Sequence, residues 1–341
     1  MNNNKLYPLT FVPILKEIIW GGHRLEPFKG LPSSEKKIGE SWEISLIPGS
    51  ISVVAEGSLK GRLLSDLISE YGSELLGRQV YERYGDNFPL LIKYIDAAAD
   101  LSIQVHPNDE IAQQRHHSFG KTEMWYVVDA APDATLKTGF REKISETEFV
   151  VRSEDGTIAD ALASYRVNKG DLFFLPAGRV HAICSGCLVA EIQQNSNITY
   201  RIYDYKRKDA DGNERELHTE LAKDVIDYSV SSDYRTQYDM SPALSEHRQV
   251  VESPYFITSI VQLRGEEIHI SLAERDSFTV CMVVEGDVEL EADGQKCSYK
   301  MGSTILVPAS CHALTLRSKA GARVMECFVP GVARGLTEPS C

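Results

Sequence analysis

Two short segments of this chain repeat one pattern, and together they restrict the fold more than any other feature. GDLFFLPA (residues 170–177) is echoed by GSTILVPA (residues 302–309). Each opens on a Gly turn, continues as a short apolar run and stops at Pro-Ala. A histidine follows each, His181 in the first and His312 in the second, one residue out of step. Short apolar runs bounded by Gly and Pro read as strands. A hairpin is expected ahead of each copy, over 124–139 and over 280–294, the second turning at Glu285-Gly286-Asp287. The repeat therefore predicts a mainly β protein of two β-sandwich units of one kind.

The rest of the chain fits around that frame. Short candidate strands cover 9–13, 41–47, 52–54, 88–95, 101–105 and 188–194. The period changes once, where Leu63, Leu64, Leu67, Ile68 and Tyr71 recur at helical spacing and Gly72 ends the run. A small helical insert is expected there, at about 58–80. A helix is expected within 145–165, where Ser145 and Glu148 are spaced as a capping box, and another over 217–228. The polar stretch 108–120 reads as a loop. Residues 231–250 are polar and irregular and read as a linker. The expected units are 1–230 and 251–341.

The chain has 341 residues and a formal net charge of −13. Nucleic acid and anionic membrane both require basic surface, so neither is an expected partner. No apolar run approaches a membrane-spanning length, and the start, MNNNKLYPLTF, lacks the apolar core of a signal peptide. A cytoplasmic protein is expected. The seven cysteines are scattered. Cys184 and Cys187 have the C-x-x-C spacing, but no second pair exists to complete a structural zinc site, so two free thiols are expected.

The chemistry gathers around residues 101–126. On a strand, Gln104 and His106 share one face because side chains alternate. Glu123 can supply a carboxylate and His181 a second imidazole. Imidazole, carboxylate and amide oxygen suit a borderline divalent ion and leave positions open for substrate. Zinc fits this set; donor type alone also admits iron or manganese. His312 has no Gln-x-His upstream, so the second unit is expected to be metal-free. Arg201 can hold an oxyanion and Glu191 can move a proton. Lys121 lies two residues before Glu123, Ser102 shares a strand face with Gln104, and Lys93 lies on the preceding strand. His116 and His117 read as exposed. No Gly-rich phosphate loop is present.

A glycine, a strand, a proline and then a histidine form a motif found in cupins, whose units are jelly-roll sandwiches. Further strings resemble a narrower family. LIKYIDA, LSIQVHP, GKTEMWY, LPAGRVHAI and QQNSNITYRIYDY, in that order, resemble the short form of type I mannose-6-phosphate isomerase. IIWGG, GESWEIS and ELHTELAKDVIDY fit it too. The resemblance runs in order over residues 7–230 and more loosely beyond. It implies an aldose–ketose isomerase that interconverts mannose 6-phosphate and fructose 6-phosphate through an enediol, with one zinc ion (Zn2+) per chain. Carried onto this sequence, the metal ligands fall on Gln104, His106, Glu123 and His181. The active-site arginine falls on Arg201. Lys121 and Glu191 fall on catalytic positions, and Ser102 and Lys93 on positions linked to substrate, with Arg207 a further phosphate contact. Many relatives have Asp where this chain has Asn197, and an amide cannot exchange a proton near neutral pH. The expected partner is a small sugar phosphate. Alternatives are a cupin enzyme of dioxygenase type and a non-catalytic sugar-phosphate-binding cupin. Nothing in the sequence fixes the oligomeric state.

Overall fold

The computed structural model describes residues 5–208 and 211–331. It contains two β-sandwiches, and the paired strands of the described residues run antiparallel. In the first unit a six-stranded sheet has the spatial order Leu172–Leu175, Glu123–Ala130, Cys187–Gln194, Leu90–Asp96, Ile38–Ile44, Ile14–Gly22. A five-stranded sheet faces it, in the order Leu162–Arg166, Thr135–Phe140, His181–Ile183, Ile103–Val105, Tyr200–Tyr203. Trp125, Val127 and Val189 from the first sheet meet Leu136 and Ile183 from the second in one buried cluster.

The second unit repeats the plan. Its six-stranded sheet runs Leu9–Thr10, Thr304–Val307, Thr279–Gly286, Ala322–Phe328, Ile257–Leu263, Glu246–Glu252. Its four-stranded partner runs Ile268–Ser271, Ala313–Arg317, Val288–Ala292, Gln295–Tyr299. The first strand of the chain thus completes the sheet of the second unit, Leu9 opposite Leu306.

The two six-stranded sheets pack back to back. Alternation explains why their strands are buried on both faces. Trp125 and Val127 point into the first sandwich, while Met124 and Tyr126 point outward into a core shared with Val280, Met282, Leu306 and Met325 of the second unit. Polar contacts also cross this seam: an Arg323 guanidinium N–H donates to the Tyr126 hydroxyl at 3.1 Å. The helical insert comprises Leu64–Tyr71, Ser73–Leu76 and Arg78–Tyr84. It buries Leu64, Leu67, Ile68, Leu75, Leu76 and Val80 in the same core. Asp276 of the second unit caps the last of these helices, accepting from Arg78 N at 2.7 Å and Gln79 N at 3.2 Å. No helix among the described residues is long and apolar enough to cross a membrane.

Several local expectations are corrected. Neither expected hairpin forms. Glu123–Ala130 and Thr135–Phe140 lie in opposite sheets, as do Thr279–Gly286 and Val288–Ala292, because in each unit the tight turn carries the chain across the sandwich. The stretch read as a polar loop holds the helix Asp109–His116. Asn108 caps it, its side chain accepting from Ile111 N at 3.0 Å. The helix expected within 145–165 is Glu146–Asp155, where Ser145 caps Glu148 N. After it come the turn Ile158–Ala161 and then a strand, Leu162–Arg166. The helix expected over 217–228 is confined to Thr219–Lys223, since Asp227 N donates instead to the Gly178 carbonyl at 2.9 Å. The segment read as a linker ends in Glu246–Glu252, an exposed edge strand paired with Ile257–Leu263. An edge strand shows polar residues on both faces, which hides its period. Cys184 and Cys187 are buried free thiols, and burial pushes the Cys187 thiol up to about 12.

Candidate active site

Strand register assembles two facing rows. On the five-stranded sheet, Arg201 stands opposite Gln104, and Gln104 opposite His181. His106 follows the end of the same strand as Gln104. On the six-stranded sheet, Trp125, Glu191, Lys93 and Trp42 stand side by side on four consecutive strands. Glu123 lies two residues before Trp125, hence on the same face.

Where the rows meet, His106, Glu123 and His181 converge, with candidate ligand atoms all within 4.8 Å of one another. His181 Nε2 is 3.2 Å from Glu123 Oε1, and His106 Nε2 is 3.5 Å from Glu123 Oε2. The Gln104 amide end lies 3.3 Å from His181 Nε2; rotation of the amide exchanges its oxygen and nitrogen there. His181 Nδ1 donates to the Arg179 carbonyl at 2.8 Å, which fixes the tautomer and turns the Nε2 lone pair to the site. Burial pushes both imidazoles down, His181 to about 4, with the Lys121 charge adding to the effect on each. Both rings are therefore neutral, the form that binds a metal.

The donors fit a cation. Glu123 is 0 % exposed and His106 1 %. Among the described residues neither carboxylate oxygen of Glu123 nor His106 Nε2 has a hydrogen-bond partner. A buried carboxylate without partners is costly. Burial, reinforced by the Glu191 charge and opposed by Lys121 and Lys93, drives the Glu123 carboxyl up. A divalent ion among these four side chains would give both Glu123 oxygens and His106 Nε2 a partner at once. The described residues contain no second such group of His, Cys, Asp and Glu.

Beside this group opens a cavity of about 320 Å³. Of the residues singled out in the sequence, Lys93, Ser102, Gln104, Lys121, Glu191 and Arg201 line it, with Asn197. All three tryptophans of the chain, Trp20, Trp42 and Trp125, line it as well. Glu191 accepts from the Trp125 indole at 2.9 Å and lies 3.2 Å from Lys93 Nζ. Burial raises its carboxyl, but the Lys93 and Lys121 charges outweigh that and hold it below the usual range. Lys93 in turn is driven down by burial and more strongly up by Glu191 and Glu40.

The opposite wall is cationic. Arg201 donates to the Glu216 carbonyl at 2.8 Å, and its buried Nε meets no acceptor among the described residues. Burial and the neighbouring Arg215 charge push its pKa down. Arg215 also lines the cavity and binds Asp204 through two N–H groups. Arg207 is not part of this wall. It is committed to the Asp204 carboxylate and the Asp100 carbonyl and faces a different, smaller cleft.

Sequence reasoning missed Glu40, Trp42 and Arg215. For the first two a signal existed: in GESWEIS, Glu40 and Trp42 alternate onto one face of a strand. Arg215 had none, since it reaches the site from beyond an irregular segment. His116 and His117 are exposed, and His116 meets the Tyr200 hydroxyl at 2.8 Å.

In the second unit the same register places Thr279 where the first has Glu123, Cys281 for Trp125, Glu326 for Glu191 and Ser259 for Lys93. Its interior is packed with Val261, Val283, Leu290, Ile305 and Leu314 among others, and His312 is exposed.

Comparison with known proteins agrees with this arrangement. Residues 9–133 match the family described as "Phosphomannose isomerase type I, catalytic domain". Residues 246–325 match "Mannose-6-phosphate isomerase, cupin domain". The chain is 37 % identical to mannose-6-phosphate isomerase ManA of Bacillus subtilis over 94 % of its own length and 98 % of that protein's. It is 32 % identical to a mannose-6-phosphate isomerase of Streptococcus mutans over 88 % and 92 % of the two chains. The crystal structure of the Bacillus subtilis mannose 6-phosphate isomerase superposes with a TM-score of 0.79 at 32 % identity, covering 94 % of this chain and 99 % of that one. By these matches the chain is an enzyme of the type I mannose-6-phosphate isomerase family.

Proposed function

We propose that this protein interconverts mannose 6-phosphate and fructose 6-phosphate, with one zinc ion held by Gln104, His106, Glu123 and His181. The observation that carries the reading is the orphaned, fully buried set of His106 and Glu123 atoms beside a cavity walled by Lys121 and Arg201. When bound, the metal supplies a positive charge that stabilises negative charge developing on the sugar oxygens.

The chain's own groups do the rest. The reaction removes a proton from the carbon beside the carbonyl and returns it to the neighbouring carbon. Glu191, held ionised by Lys93, is the group that takes and returns that proton. Lys121 Nζ, 3.5 Å from Glu123 Oε2, places a cation beside the reacting oxygens. Arg201 and Arg215 form the cationic wall and hold the phosphate, which orients the chain of the sugar. Ser102 offers a hydroxyl to the substrate. Lys93 lies between two carboxylates, so its charge is largely neutralised; it touches substrate less than it shapes Glu191. The indoles of Trp20 and Trp42 exclude water from the cavity walls.

A coupled assay for fructose 6-phosphate formed from mannose 6-phosphate tests the proposal, run beside elemental analysis of the purified protein. Turnover with zinc and without iron is the expected result. A folded, zinc-loaded protein that forms no fructose 6-phosphate sinks the assignment, and iron dependence with oxygen consumption favours a dioxygenase.

A further inference from the structure

Glu40 sits on Ile38–Ile44, opposite Ile95, and lines the cavity. Its Oε2 accepts from the Trp42 indole at 2.5 Å and lies 3.6 Å from Lys93 Nζ. Lys93 is thus flanked by two carboxylates, Glu191 at 3.2 Å and Glu40 at 3.6 Å. Each carboxylate is itself fixed by an indole, Trp125 for Glu191 and Trp42 for Glu40. The arrangement holds one ammonium between two oriented anions in a site shielded from water, where charges are felt strongly.

We propose that Glu40 is a positioning residue for this site: by sharing the Lys93 ammonium it keeps Glu191 basic enough to accept the sugar proton. The inference rests on the isomerase reading above. Were Lys93 paired with Glu191 alone, the full cationic charge would fall on the base and weaken it. A second negative charge on the far side of the ammonium restores part of that basicity. The other unit offers an independent parallel. Following its register, the position of Glu40 is taken by His247, opposite Val261 as Glu40 is opposite Ile95. There too this position reaches the row, His247 Nε2 lying 3.1 Å from Glu326, the counterpart of Glu191. In both sandwiches the side chain at this strand position reaches the central row, at Lys93 in the first and at Glu326 in the second.

The charged and titratable groups that act on Glu191 are Lys93 on the neighbouring strand, Lys121 and Glu123 on the other side, and His181 across the sandwich, and Glu40 reaches it through Lys93. Glu40→Gln removes one of these charges and keeps an oxygen for the Trp42 indole. Removing an anion lowers the pKa of Glu191. In the zinc-loaded full chain, the acid limb of the kcat profile is expected to move to lower pH, by on the order of one unit. Plateau kcat is expected to fall about threefold or more, because a weaker base removes the proton more slowly, with KM changed less than about twofold. Glu40→Asp, which keeps the charge, is expected to stay closer to the parent profile. An unshifted acid limb in Glu40→Gln overturns the proposal. So does a raised KM with unchanged kcat, which would make Glu40 a substrate ligand. If Glu40→Gln does not fold, a Glu40→Asp profile indistinguishable from the parent supports the proposal and one shifted by a full unit overturns it. A parent protein without isomerase activity would fail the functional reading itself, whereas an active parent with an unshifted Glu40→Gln fails this inference alone.

Discussion

Glu191 and Lys93 stand directly opposite one another on paired strands, Oε2 to Nζ 3.2 Å, both buried against the candidate cavity. The pair is flanked by Glu40 on one side and the Trp125 indole on the other. The Lys93 ammonium therefore lies within reach of two carboxylates, the buried Glu191 and the half-buried Glu40.

Replacing Lys93 by Met removes the cation but keeps most of its volume. It leaves the buried Glu191 carboxylate and the half-buried Glu40 carboxylate without the cation between them, and the expected loss of stability is about 3–5 kcal/mol. In the parent protein Glu191 is held below its ordinary range, so its contribution is present above the unfolded carboxylate pKa and is lost as pH falls through the folded value. In Lys93→Met the sign reverses. Without that cation burial raises the Glu191 carboxyl, so the variant recovers stability as pH is lowered. Urea unfolding at pH 5 and pH 8 checks this, the deficit being smaller at pH 5.

Metal affinity is expected to rise with pH. In the metal-free protein burial and the Glu191 charge hold the Glu123 carboxyl above its ordinary value, so a binding cation must displace its proton. Affinity then gains up to about tenfold per pH unit while that proton is present. His181, at about 4, releases none near neutrality. Zinc titration calorimetry in two buffers of different ionisation enthalpy measures the release. A value approaching one proton at neutral pH is expected, and a heat independent of buffer contradicts it.

Arg201 and His181 flank Gln104 in one row of the five-stranded sheet but carry different duties. Arg201→Ala is expected to lose most turnover, on the order of a hundredfold or more, while retaining zinc. His181→Ala is expected to lose the zinc itself. Metal content by elemental analysis, set beside kcat, separates the two. Zinc retained in His181→Ala and lost in His312→Ala would place the metal in the wrong sandwich.

The sequence was most legible where chemistry and period coincide. His106, just past the strand that carries Gln104, joins Glu123 and His181 in a buried cluster, and Gln104 reaches His181 beside it. The repeat at 170–177 and 302–309 marks equivalent strands of two equivalent sheets. What could not be read was the choice of partner. The turn Glu285-Gly286-Asp287 looks like a hairpin, yet its strands enter opposite sheets, because local turn chemistry does not say which sheet follows. The helix Asp109–His116 buries one residue fully, Ala112, so it has almost no apolar stripe; its cap Asn108 and the acids Asp109 and Glu110 were the available signal. Glu40 and Trp42 join the site through Lys93, more than fifty residues on in the sequence, which no local window contains.

The central claim is that the Gln104, His106, Glu123 and His181 cluster holds a metal on which isomerisation depends. The direct test is to strip the protein with a chelator and measure mannose 6-phosphate turnover as zinc is returned. Activity should vanish on stripping and return in proportion to zinc, saturating at one ion per chain. Undiminished activity in protein shown to be free of metal would contradict the account.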